Sequence, residues 1–437
     1  MTVMRSVFAR CVLATLAVLL LGCAALAQSE WVVHSFNSPL GAQGIVPMGN
    51  LVADGAGNLY GTTFEGGAHS DWGTVYELAR PVPPKTAWTE AVLYSFTGGA
   101  DGGQPIAGVV FDKAGDLYGT TGRGGASDNG VVFELVAPST AGGKWTEIVL
   151  HSFQPSSADG ASPIGELAWD EGGNLYGVTE YGGANQRSPC FNNSTHPGCG
   201  TVFQLLPPTT PGGVWTETIL HSFNYGQGGF PEGSAILDAH GNLYGTTYEG
   251  GAYGDGVVYR LQPPATEGGA WTYRVLHAFH PISGSSEGGY PRGALALHGS
   301  GVLYGTTLGQ GAYGGGTVFQ LAPPASPGGA WTENILYNFG SATGDAGGPA
   351  ANLIFGSAGN LFGTTIAGGG ANVGTVFQLT PPVSSGADWT ETVLHGFGNV
   401  KDGATPSGGL TLNNGVLFGT TQGGGTNGEG TVYGVVK

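Results

Sequence analysis

Leu59-Tyr60-Gly61-Thr62-Thr63 is the stretch that decides the fold of this 437-residue chain. Six more copies follow it, with small edits such as Val178 for the first threonine. The steps between copies are 58, 58, 68, 60, 58 and 56 residues. A near-constant period over seven copies indicates a repeat protein in which each copy is one supersecondary unit. The later copies begin at Leu117, Leu175, Leu243, Leu303, Leu361 and Leu417.

Each repeat contains four short apolar-alternating runs, which we name a to d in chain order. In the second repeat they are residues 108–111, 116–121, 130–135 and 145–153. Gly, Pro and Asp clusters separate the runs, which is typical of strands joined by turns. Gly, at 85 residues, recurs at fixed places in the repeat and therefore indicates turns rather than disorder. The sequence predicts an all-β fold of four-stranded antiparallel units.

The two ends of the chain complete each other. The last repeat stops after run c at residues 430–433, and residues 28–36 align with a run d. A closed ring needs this permutation, whereas an open solenoid needs capping repeats. The sequence therefore predicts a seven-bladed β-propeller closed by the N-terminal strand, which hides the sheet edges. The predicted domain is 28–437, with the closing strand at 28–36, blades one to six at 47–96, 105–153, 163–223, 231–279, 291–339 and 349–397, and the rest of blade seven at 406–437.

The repeat G-N-L-Y-G-T-T, the Gly-Gly loop and G-T-V-F resemble the "GloVer" tandem repeat of the choice-of-anchor bacterial exported proteins. The resemblance covers essentially the whole mature chain. It implies an exported β-propeller and no defined activity. Many members carry a C-terminal sorting anchor, and we expect none here because the chain ends inside a blade at Lys437. The W-T that opens run d is also kelch-like, although the kelch period is about 50 residues.

The N-terminus predicts export. Arg5 and Arg10 precede an apolar run at residues 11–21 and an A-x-A site ending at Ala27, which is typical of a signal peptide at residues 1–27. Cys23 offers the alternative of a lipoprotein anchor. The protein would then be extracellular or periplasmic, with no transmembrane helix after cleavage. The mature chain has 11 basic and 30 acidic residues, a net charge of −19, which disfavours nucleic acid as a partner.

Cys190 and Cys199 lie in one loop, in the repeat whose step is 68 residues. In an exported chain such a pair favours a disulfide. A metal site is the alternative, with only His196 nearby and without the spacing of a zinc motif. The inserted loop also contains Arg187 and Phe191. It is either a preorganised recognition loop or a tolerated insertion.

Residues that recur in every repeat are explained first by packing. The histidines of run d, such as His151, and the tryptophans that open it predict side chains packed between blades. Asp54 and its equivalents begin D-x-x-G turns. Turn capping is favoured over calcium binding at these positions. We therefore predict no metal, no cofactor and no catalytic residue.

Residues that differ between repeats are the candidates for function. The loops between runs d and a and between runs b and c are expected to surround one channel mouth. There the second residue after run b varies, and in blades one to four it is Glu65, Arg123, Tyr181 and Glu249. These groups, with aromatic residues of nearby loops, could bind a polar ligand such as a sugar or a peptide. Solvent-facing variable loops are the alternative. The nearby aromatic candidates that we select are Trp72 and Tyr253.

Three function classes remain open. The first is a non-catalytic exported binding or scaffold module, for carbohydrate or a surface protein, which we expect to be a monomer. The second is a polysaccharide hydrolase or lyase at the channel mouth, which needs paired carboxylates such as Glu65 and Glu249 at a set separation. The third is a purely structural surface protein.

Overall fold

The computed structural model describes residues 30–437, except 38–42, 70, 141, 155–158, 186–188, 191–195, 211, 267, 283–284, 327, 343, 385 and 399–400. The predicted signal peptide, Cys23, Arg187 and Phe191 lie outside the described residues. The described residues form an all-β ring of seven antiparallel blades, each with four strands, a to d, from the axis outward. The predicted seven-bladed β-propeller is therefore confirmed.

The strand bounds follow the repeat. The strands up to the end of blade two are β1 (Glu30–Ser35), β2 (Gly44–Ile45), β3 (Val52–Ala53), β4 (Leu59–Thr63), β5 (Glu65–Gly66), β6 (Thr74–Ala79), β7 (Thr89–Ser95), β8 (Val110–Phe111), β9 (Leu117–Thr121), β10 (Val131–Val136) and β11 (Thr146–Ser152). Those of blades three and four are β12 (Gly160–Pro163), β13 (Ala168–Trp169), β14 (Leu175–Gly182), β15 (Thr201–Leu206), β16 (Thr216–Ser222), β17 (Ile236–Leu237), β18 (Leu243–Thr247), β19 (Val257–Gln262) and β20 (Thr272–Ala278).

The remaining three blades continue the same order. Their strands are β21 (Gly288–Gly289), β22 (Ala296–Leu297), β23 (Leu303–Thr307), β24 (Gly309–Gln310), β25 (Thr317–Ala322), β26 (Thr332–Asn338), β27 (Ala346–Gly347), β28 (Ile354–Phe355), β29 (Leu361–Thr365), β30 (Ala367–Gly368), β31 (Thr375–Thr380), β32 (Thr390–Gly396), β33 (Thr411–Asn413), β34 (Val416–Thr421) and β35 (Thr431–Val436). A 3-10 turn at Ser357–Gly359 joins β28 to β29.

The ring closes through the N-terminal strand. Strand β1 pairs antiparallel with β35, so that Trp31 lies opposite Gly434 and His34 opposite Val432. The sheet order of blade seven is β1-β35-β34-β33, which places the first strand of the described chain outermost in the last blade. The closure that we predicted from the chain ends is confirmed.

The Leu-Tyr-Gly-Thr-Thr motif is strand b, and packing explains its residues. Leu59 is fully buried. Gly61 leaves room for the ring of Tyr76 on strand c, because a Cβ at Gly61 would lie 2.6 Å from the Tyr76 hydroxyl oxygen. The second threonine, Thr63, accepts a hydrogen bond of 3.1 Å from the Thr74 backbone N–H and so fixes the register with strand c.

The first threonine of the motif connects neighbouring blades. Thr62 Oγ1 donates a hydrogen bond of 2.7 Å to the Ala107 carbonyl oxygen on the innermost segment of the next blade. The equivalent bond closes the ring between Thr420 and Gly49, at 3.1 Å. Val178 cannot donate, and at its junction the Ser234 hydroxyl of blade four accepts a hydrogen bond from the Glu166 N–H of blade three. The motif is therefore a packing and hydrogen-bonding unit of the ring.

The histidines of strand d do pack between blades. His34 Nε2 of blade seven lies 3.2 Å from Glu90 Oε2 of blade one. His277 Nε2 of blade four lies 3.8 Å from Glu333 Oε1 of blade five. The tryptophans behave likewise: the ring of Trp88 meets that of Phe418, in the preceding blade, edge to face at 5.8 Å. Both interblade predictions are confirmed.

The aspartate of the D-x-x-G turn caps its own turn. Asp54 Oδ1 accepts hydrogen bonds from the N–H groups of Ala56 and Asn58, each at 2.9 Å. Asp54 Oδ2 accepts a further bond from the Asn58 side-chain amide. These bonds support the predicted turn cap. Within the described part of the chain, no helix is both long and apolar enough to cross a membrane.

Candidate functional site

The central channel opens into a cavity of about 220 Å³. In every blade, within the described residues, the loop that leads into strand a pairs with the residues directly after strand b. Pairs such as Ile45 with Glu65 and Gly103 with Arg123 show this arrangement. The two loop sets therefore share one face, as predicted. The cavity is lined mainly by the residues that precede or form the innermost segments.

The inner part of the channel is narrow because small residues bring the backbones of neighbouring blades together. A Cβ at Gly293 would lie 2.5 Å from the Ala351 carbonyl oxygen, so the close approach there requires glycine. One carboxyl group, that of Glu166, lies in this wall. Burial raises its pKa to about 7, although hydrogen bonds from Asn50 and the Gly108 backbone oppose the shift. A partly protonated carboxyl can both donate to and accept from a hydroxyl-rich ligand.

The mouth is chemically uneven around the ring. The residue after the proline that begins each blade lines the cavity. In blades one to three this residue is apolar, whereas blades four and five supply Glu232 and Arg292. From blade one to blade seven the residues at this position are Met48, Ile106, Ile164, Glu232, Arg292, Ala350 and Ser407.

Glu232 and Arg292 form an ion pair between blades four and five. The Arg292 Nε atom lies 2.5 Å from Glu232 Oε2, and the Arg292 side chain is 46% exposed whereas that of Glu232 is 13% exposed. Burial raises the pKa of Glu232, although the guanidinium of Arg292 opposes the shift. The pair places a half-exposed guanidinium at the mouth, where it can bind an oxygen-rich ligand.

Glu180 and Tyr248 lie beside this ion pair. Burial raises the pKa of Glu180 to about 7, although a hydrogen bond with the Tyr181 side chain opposes the shift; the Glu232 carboxylate adds a smaller increase and Arg292 a smaller decrease. Burial raises the pKa of Tyr248, with a further increase from the Glu232 carboxylate and a decrease from Arg292. The Tyr248 ring lies 5.4 Å from that of Tyr290. Two carboxyl groups, one guanidinium and two phenol rings therefore converge on blades three to five. We call this cluster of Glu180, Glu232, Arg292, Tyr248 and Tyr290 the charged arc.

The predicted rim residues lie one position further along the chain than this cluster. Like Glu180 and Tyr248, they lie outside the cavity lining. As backbone, Glu65, Arg123, Tyr181 and Glu249 pair with the loop that enters strand a. Arg123 Nη1 lies 3.4 Å from Asp128 Oδ2. Glu249 Oε2 accepts a hydrogen bond of 3.4 Å from the Tyr225 hydroxyl.

These four residues do not form one cluster. Glu65 is on blade one and Glu249 on blade four, three blades apart in a ring of seven, and no contact among the described residues joins them. Tyr181 and Glu249 are the two that flank the charged arc. Tyr181 stacks over His196 at 6.2 Å and meets Phe230 edge to face at 5.9 Å.

Of the two aromatic candidates, one packs inward and one is exposed. Trp72 packs on Gly98 and Gly103, and a Cβ at Gly98 would lie 2.1 Å from the Trp72 ring. Its ring therefore contributes to the packing of the loops. Tyr253 is 54% exposed and stacks on His280 at 3.7 Å between ring centroids.

The disulfide is present between Cys190 and Cys199, whose Cα atoms are 4.8 Å apart. Both residues are buried and pack in one apolar cluster with Phe230, against which Tyr181 also lies. The bridge therefore anchors the inserted loop to the core beside the charged arc. The predicted disulfide is confirmed.

The repeat itself matches a known family model. Residues 25–198 and 270–436, more than half of the chain, match the Gloeobacter/Verrucomicrobia repeat. The chain belongs to this family. The match agrees with the resemblance seen in the sequence, and the seven copies of the repeat are the seven blades. Among curated protein sequences, none matches this chain significantly.

Two solved structures are among those similar to this repeat-family chain. One is PorZ, described as an essential bacterial surface component of the type-IX secretion system of Porphyromonas gingivalis. It is 15% identical, with a TM-score of 0.51 over 91% of this chain and 48% of PorZ, so this chain spans about half of PorZ. The other is a carbohydrate-active enzyme of family AA12 from Trichoderma reesei, 14% identical over 94% of this chain and 96% of the enzyme, with a TM-score of 0.42. At this identity the PorZ likeness concerns the fold alone.

Sequence reasoning missed Glu180, Glu232, Tyr248 and Arg292. The signal was available, because Glu232 and Arg292 directly follow the proline that begins their repeats, and charged residues occur at that position in no other repeat. Glu180 and Tyr248 occupy the first position after strand b. The second position was chosen instead, and in blade three the two positions are linked, because the Tyr181 side chain hydrogen-bonds to Glu180.

Proposed function

We propose that this protein is an exported, non-catalytic propeller that acts as a binding or scaffold module, and that its channel mouth binds a polar ligand such as a carbohydrate. The observation that carries the proposal is the convergence of Glu180, Glu232 and Arg292 with Tyr248 at the mouth. Such a set offers hydrogen bonds and ring faces in one concave place, as carbohydrate sites do.

The lining of the mouth changes from apolar to charged around the ring, which supports binding of a specific ligand. Blades one to three line it with Met48, Ile106 and Ile164, and the charged arc follows next to them on blades three to five. A sugar has an apolar face and a hydroxyl edge, and a cavity with one apolar and one charged side matches both. A cell-surface polymer could enter with only its end, because the cavity holds about 220 Å³.

The predicted rim residues extend this site in our proposal. Tyr181 and Glu249 flank the charged arc, and Tyr253 adds an exposed ring in blade four. Arg123 and Glu65 would contact only a ligand that extends over blades two and one. Trp72 would act indirectly, through the loop that it packs.

Export is part of the proposal. The Cys190–Cys199 disulfide fits an oxidising compartment, extracellular or periplasmic. The signal peptide at residues 1–27, with the lipoprotein alternative at Cys23, is consistent with that location. We propose a monomer with a carbohydrate or a surface protein as partner.

A hydrolase or lyase is the second candidate, and one observation favours it. Glu180 and Glu232 are neighbouring carboxyl groups with unequal environments, since only Glu232 is paired with Arg292. A carboxyl whose pKa is about 7 beside a carboxylate held by a cation is a known arrangement of acid and base. Glu65 and Glu249, on blades three apart, are the weaker pair for this role.

A polysaccharide panel tests the proposal. The mature protein is assayed for binding to immobilised bacterial and plant polysaccharides, alongside Arg292→Met and Glu232→Gln. We expect both substitutions to weaken binding at least tenfold, whereas Glu171→Gln, an exposed residue on the a–b turn away from the mouth, leaves binding unchanged. Tyr181→Ala and Arg123→Ala test the extension of the site.

The alternatives give different results in the same panel. Release of reducing ends that Glu180→Gln abolishes would establish the enzyme instead. Binding to no polysaccharide, or equal binding by wild type and both mouth variants, would overturn the proposed site and leave the structural role.

A further inference from the structure

The outer junctions between blades contain groups that the proposed function does not use. Strand d of most blades presents a histidine to the next blade, and the loop that follows it supplies a carboxylate. Strand d of the next blade adds the glutamate of its W-T-E sequence. Among the residues that the structure describes, the three ligand atoms all lie within 4.8 Å of one another in two junctions. These sets are His151, Asp159 and Glu217 between blades two and three, and His277, Glu287 and Glu333 between blades four and five.

The distances within the sets suit a shared cation. His277 Nε2 lies 2.9 Å from Glu287 Oε1 and 3.8 Å from Glu333 Oε1. His151 Nε2 lies 3.5 Å from Asp159 Oδ2. Ligand atoms at about 2.0–2.2 Å from one zinc ion are separated from each other by roughly 3–4 Å in tetrahedral geometry.

Burial makes the sets costly without a cation. Within the described residues, the Glu333 Oε1 and His151 Nε2 atoms are buried and take part in no hydrogen bond, whereas the Glu217 side chain shares a hydrogen bond with Asp159. The Glu333 side chain is 13% exposed. Each set places two carboxylates together in this surrounding, and a buried pair of like charges is unfavourable unless a cation or a proton neutralises it.

Two other junctions place a tyrosine hydroxyl beside the equivalent carboxylates, although within the described residues Glu147 Oε1 and Glu391 Oε1 are also buried and take part in no hydrogen bond. Between blades five and six, the Tyr337 hydroxyl lies 3.4 Å from Asp345 Oδ1 and 3.2 Å from Glu391 Oε2. Between blades one and two, the Tyr94 hydroxyl donates to Asp101 at 2.9 Å. A phenol supplies a proton and no metal ligand at neutral pH, whereas a neutral imidazole is a metal ligand.

We propose that each of the two histidine sets binds one divalent transition metal ion, with Zn²⁺ as the fitting ion. A neutral imidazole and two carboxylates carry a charge of −2, which the ion balances. The nitrogen ligand favours zinc over magnesium or calcium. The side chains of His151 and His277 are 18% and 20% exposed, so water can complete the coordination.

The sites would bridge adjacent blades. In each set the histidine belongs to one blade and Glu217 or Glu333 to the next, so the bound ion connects two strands d at the outer rim. Binding to the folded ring alone raises the stability of the fold by linkage. The sites lie away from the channel mouth and are independent of the function proposed there.

Stoichiometry tests the proposal. The mature protein, stripped with a chelator and dialysed, is titrated with ZnCl2 by calorimetry, and its melting temperature is measured with and without zinc. We expect two ions per chain and a higher melting temperature with zinc. His151→Tyr and His277→Tyr should each remove one ion, and the double variant should lose both the ions and the zinc-dependent rise. Tyrosine occupies the equivalent positions 94 and 337, so these variants keep a residue that the ring already accepts.

Matched controls separate specific sites from adventitious binding. His221 occupies the same position but stacks on Tyr273 at 4.0 Å, in a junction whose next blade has no W-T-E glutamate, so His221→Tyr should leave two ions bound. If a tyrosine variant does not fold, Glu217→Gln and Glu333→Gln provide the same test. Unchanged stoichiometry in the double variant, or no zinc binding by the wild type, overturns the proposal.

Discussion

Two neighbouring junctions have the same arrangement of side chains and differ in one residue of strand d. One lies between blades four and five, and the other between blades five and six. Both present a side chain from strand d to a loop carboxylate and to the glutamate of the next blade. In the first the side chain is His277, facing Glu333; in the second it is Tyr337, facing Glu391. The comparison shows that in a repeat ring the backbone fixes where groups meet, whereas one side chain decides whether a junction places a phenol hydroxyl or an imidazole nitrogen beside the two carboxyl groups.

The largest change in stability should come from replacing the buried phenylalanine that both junctions share. Phe279 and Phe339 follow His277 and Tyr337 by two residues, and both are fully buried. Phe279→Ala and Phe339→Ala should each lower the free energy of unfolding by about 3–5 kcal/mol, because each leaves a cavity. Denaturant titration measures both, with Val383→Ala, at an exposed position, as a control without effect. If only one of the two variants lost stability, the packing around strand d would differ between the two junctions.

Exchanging the donor should convert one junction into the other. Tyr337→His places an imidazole beside Asp345 and Glu391, and we expect it to add one zinc ion per chain. At a free zinc concentration of 100 times the dissociation constant, this would stabilise the fold by about 2.7 kcal/mol. Calorimetry and thermal melting in zinc provide the measurement. No additional ion would mean that the positions of the carboxylates differ between the junctions.

The pH dependence of stability should reveal the proton in the tyrosine junction. Burial, and then the adjacent Asp345 carboxylate, raise the pKa of Glu391 to about 8 from 4.5. The folded chain therefore holds a proton that the unfolded chain releases, so its contribution is complete below pH 4.5 and is lost as the pH rises towards 8. Glu391→Gln should flatten the decrease in the free energy of unfolding over that window. An unchanged slope in the variant would assign the dependence to other groups.

The pKa of Asp345 in the same junction shifts in the opposite direction, so its contribution to stability changes with pH in the opposite sense. Although burial opposes the shift, hydrogen bonds involving Glu391 and Ser341 lower the pKa of Asp345. Its contribution is therefore present above its ordinary pKa and is lost only in stronger acid. The two carboxyl groups together make the junction most stable in mildly acidic solution.

The junction between blades three and four should give the smallest effect. There Tyr273 replaces the usual glutamate, and burial lowers the pKa of His221 to about 4. Tyr273→Glu restores a carboxylate opposite the imidazole, so the pKa of His221 should rise, as measured by NMR titration. Tyr313→Glu, at an exposed position, should leave the pKa unchanged. A pKa that stays near 4 in Tyr273→Glu would show that desolvation outweighs the new charge.

The fold could be predicted almost completely because the same strand and turn signals recur in all seven repeats. Seven copies of the motif fix strand b, and the missing run d at residue 437 finds its counterpart at residues 30–35. The interblade place of His34 and the turn cap of Asp54 followed from their recurrence. Packing explains any residue that every blade shares.

The candidate site could be predicted only in part, because it depends on side-chain direction within one strand. The sequence shows that the residues after strand b vary, but not which of two neighbours faces the channel. Glu180 contributes to the charged arc, whereas the Tyr181 ring packs against His196 and Phe230 and its side chain hydrogen-bonds to Glu180. Trp72 looked like a ligand-binding ring, and only the close approach of Gly98 shows its packing role. The ligand-binding role of the rim residues remains a prediction.

The pairing of β1 with β35 has a consequence for the order in which the protein assembles. Glu30 lies opposite Val435, so the first strand made must wait for the last. Closing a loop of about 400 residues costs about 3 kcal/mol more in chain entropy than closing a hairpin loop of ten. Long-range pairing of this kind also slows folding. Six blades can be complete while the seventh still shows an open edge, and the chain is most vulnerable to pairing with another molecule during that interval.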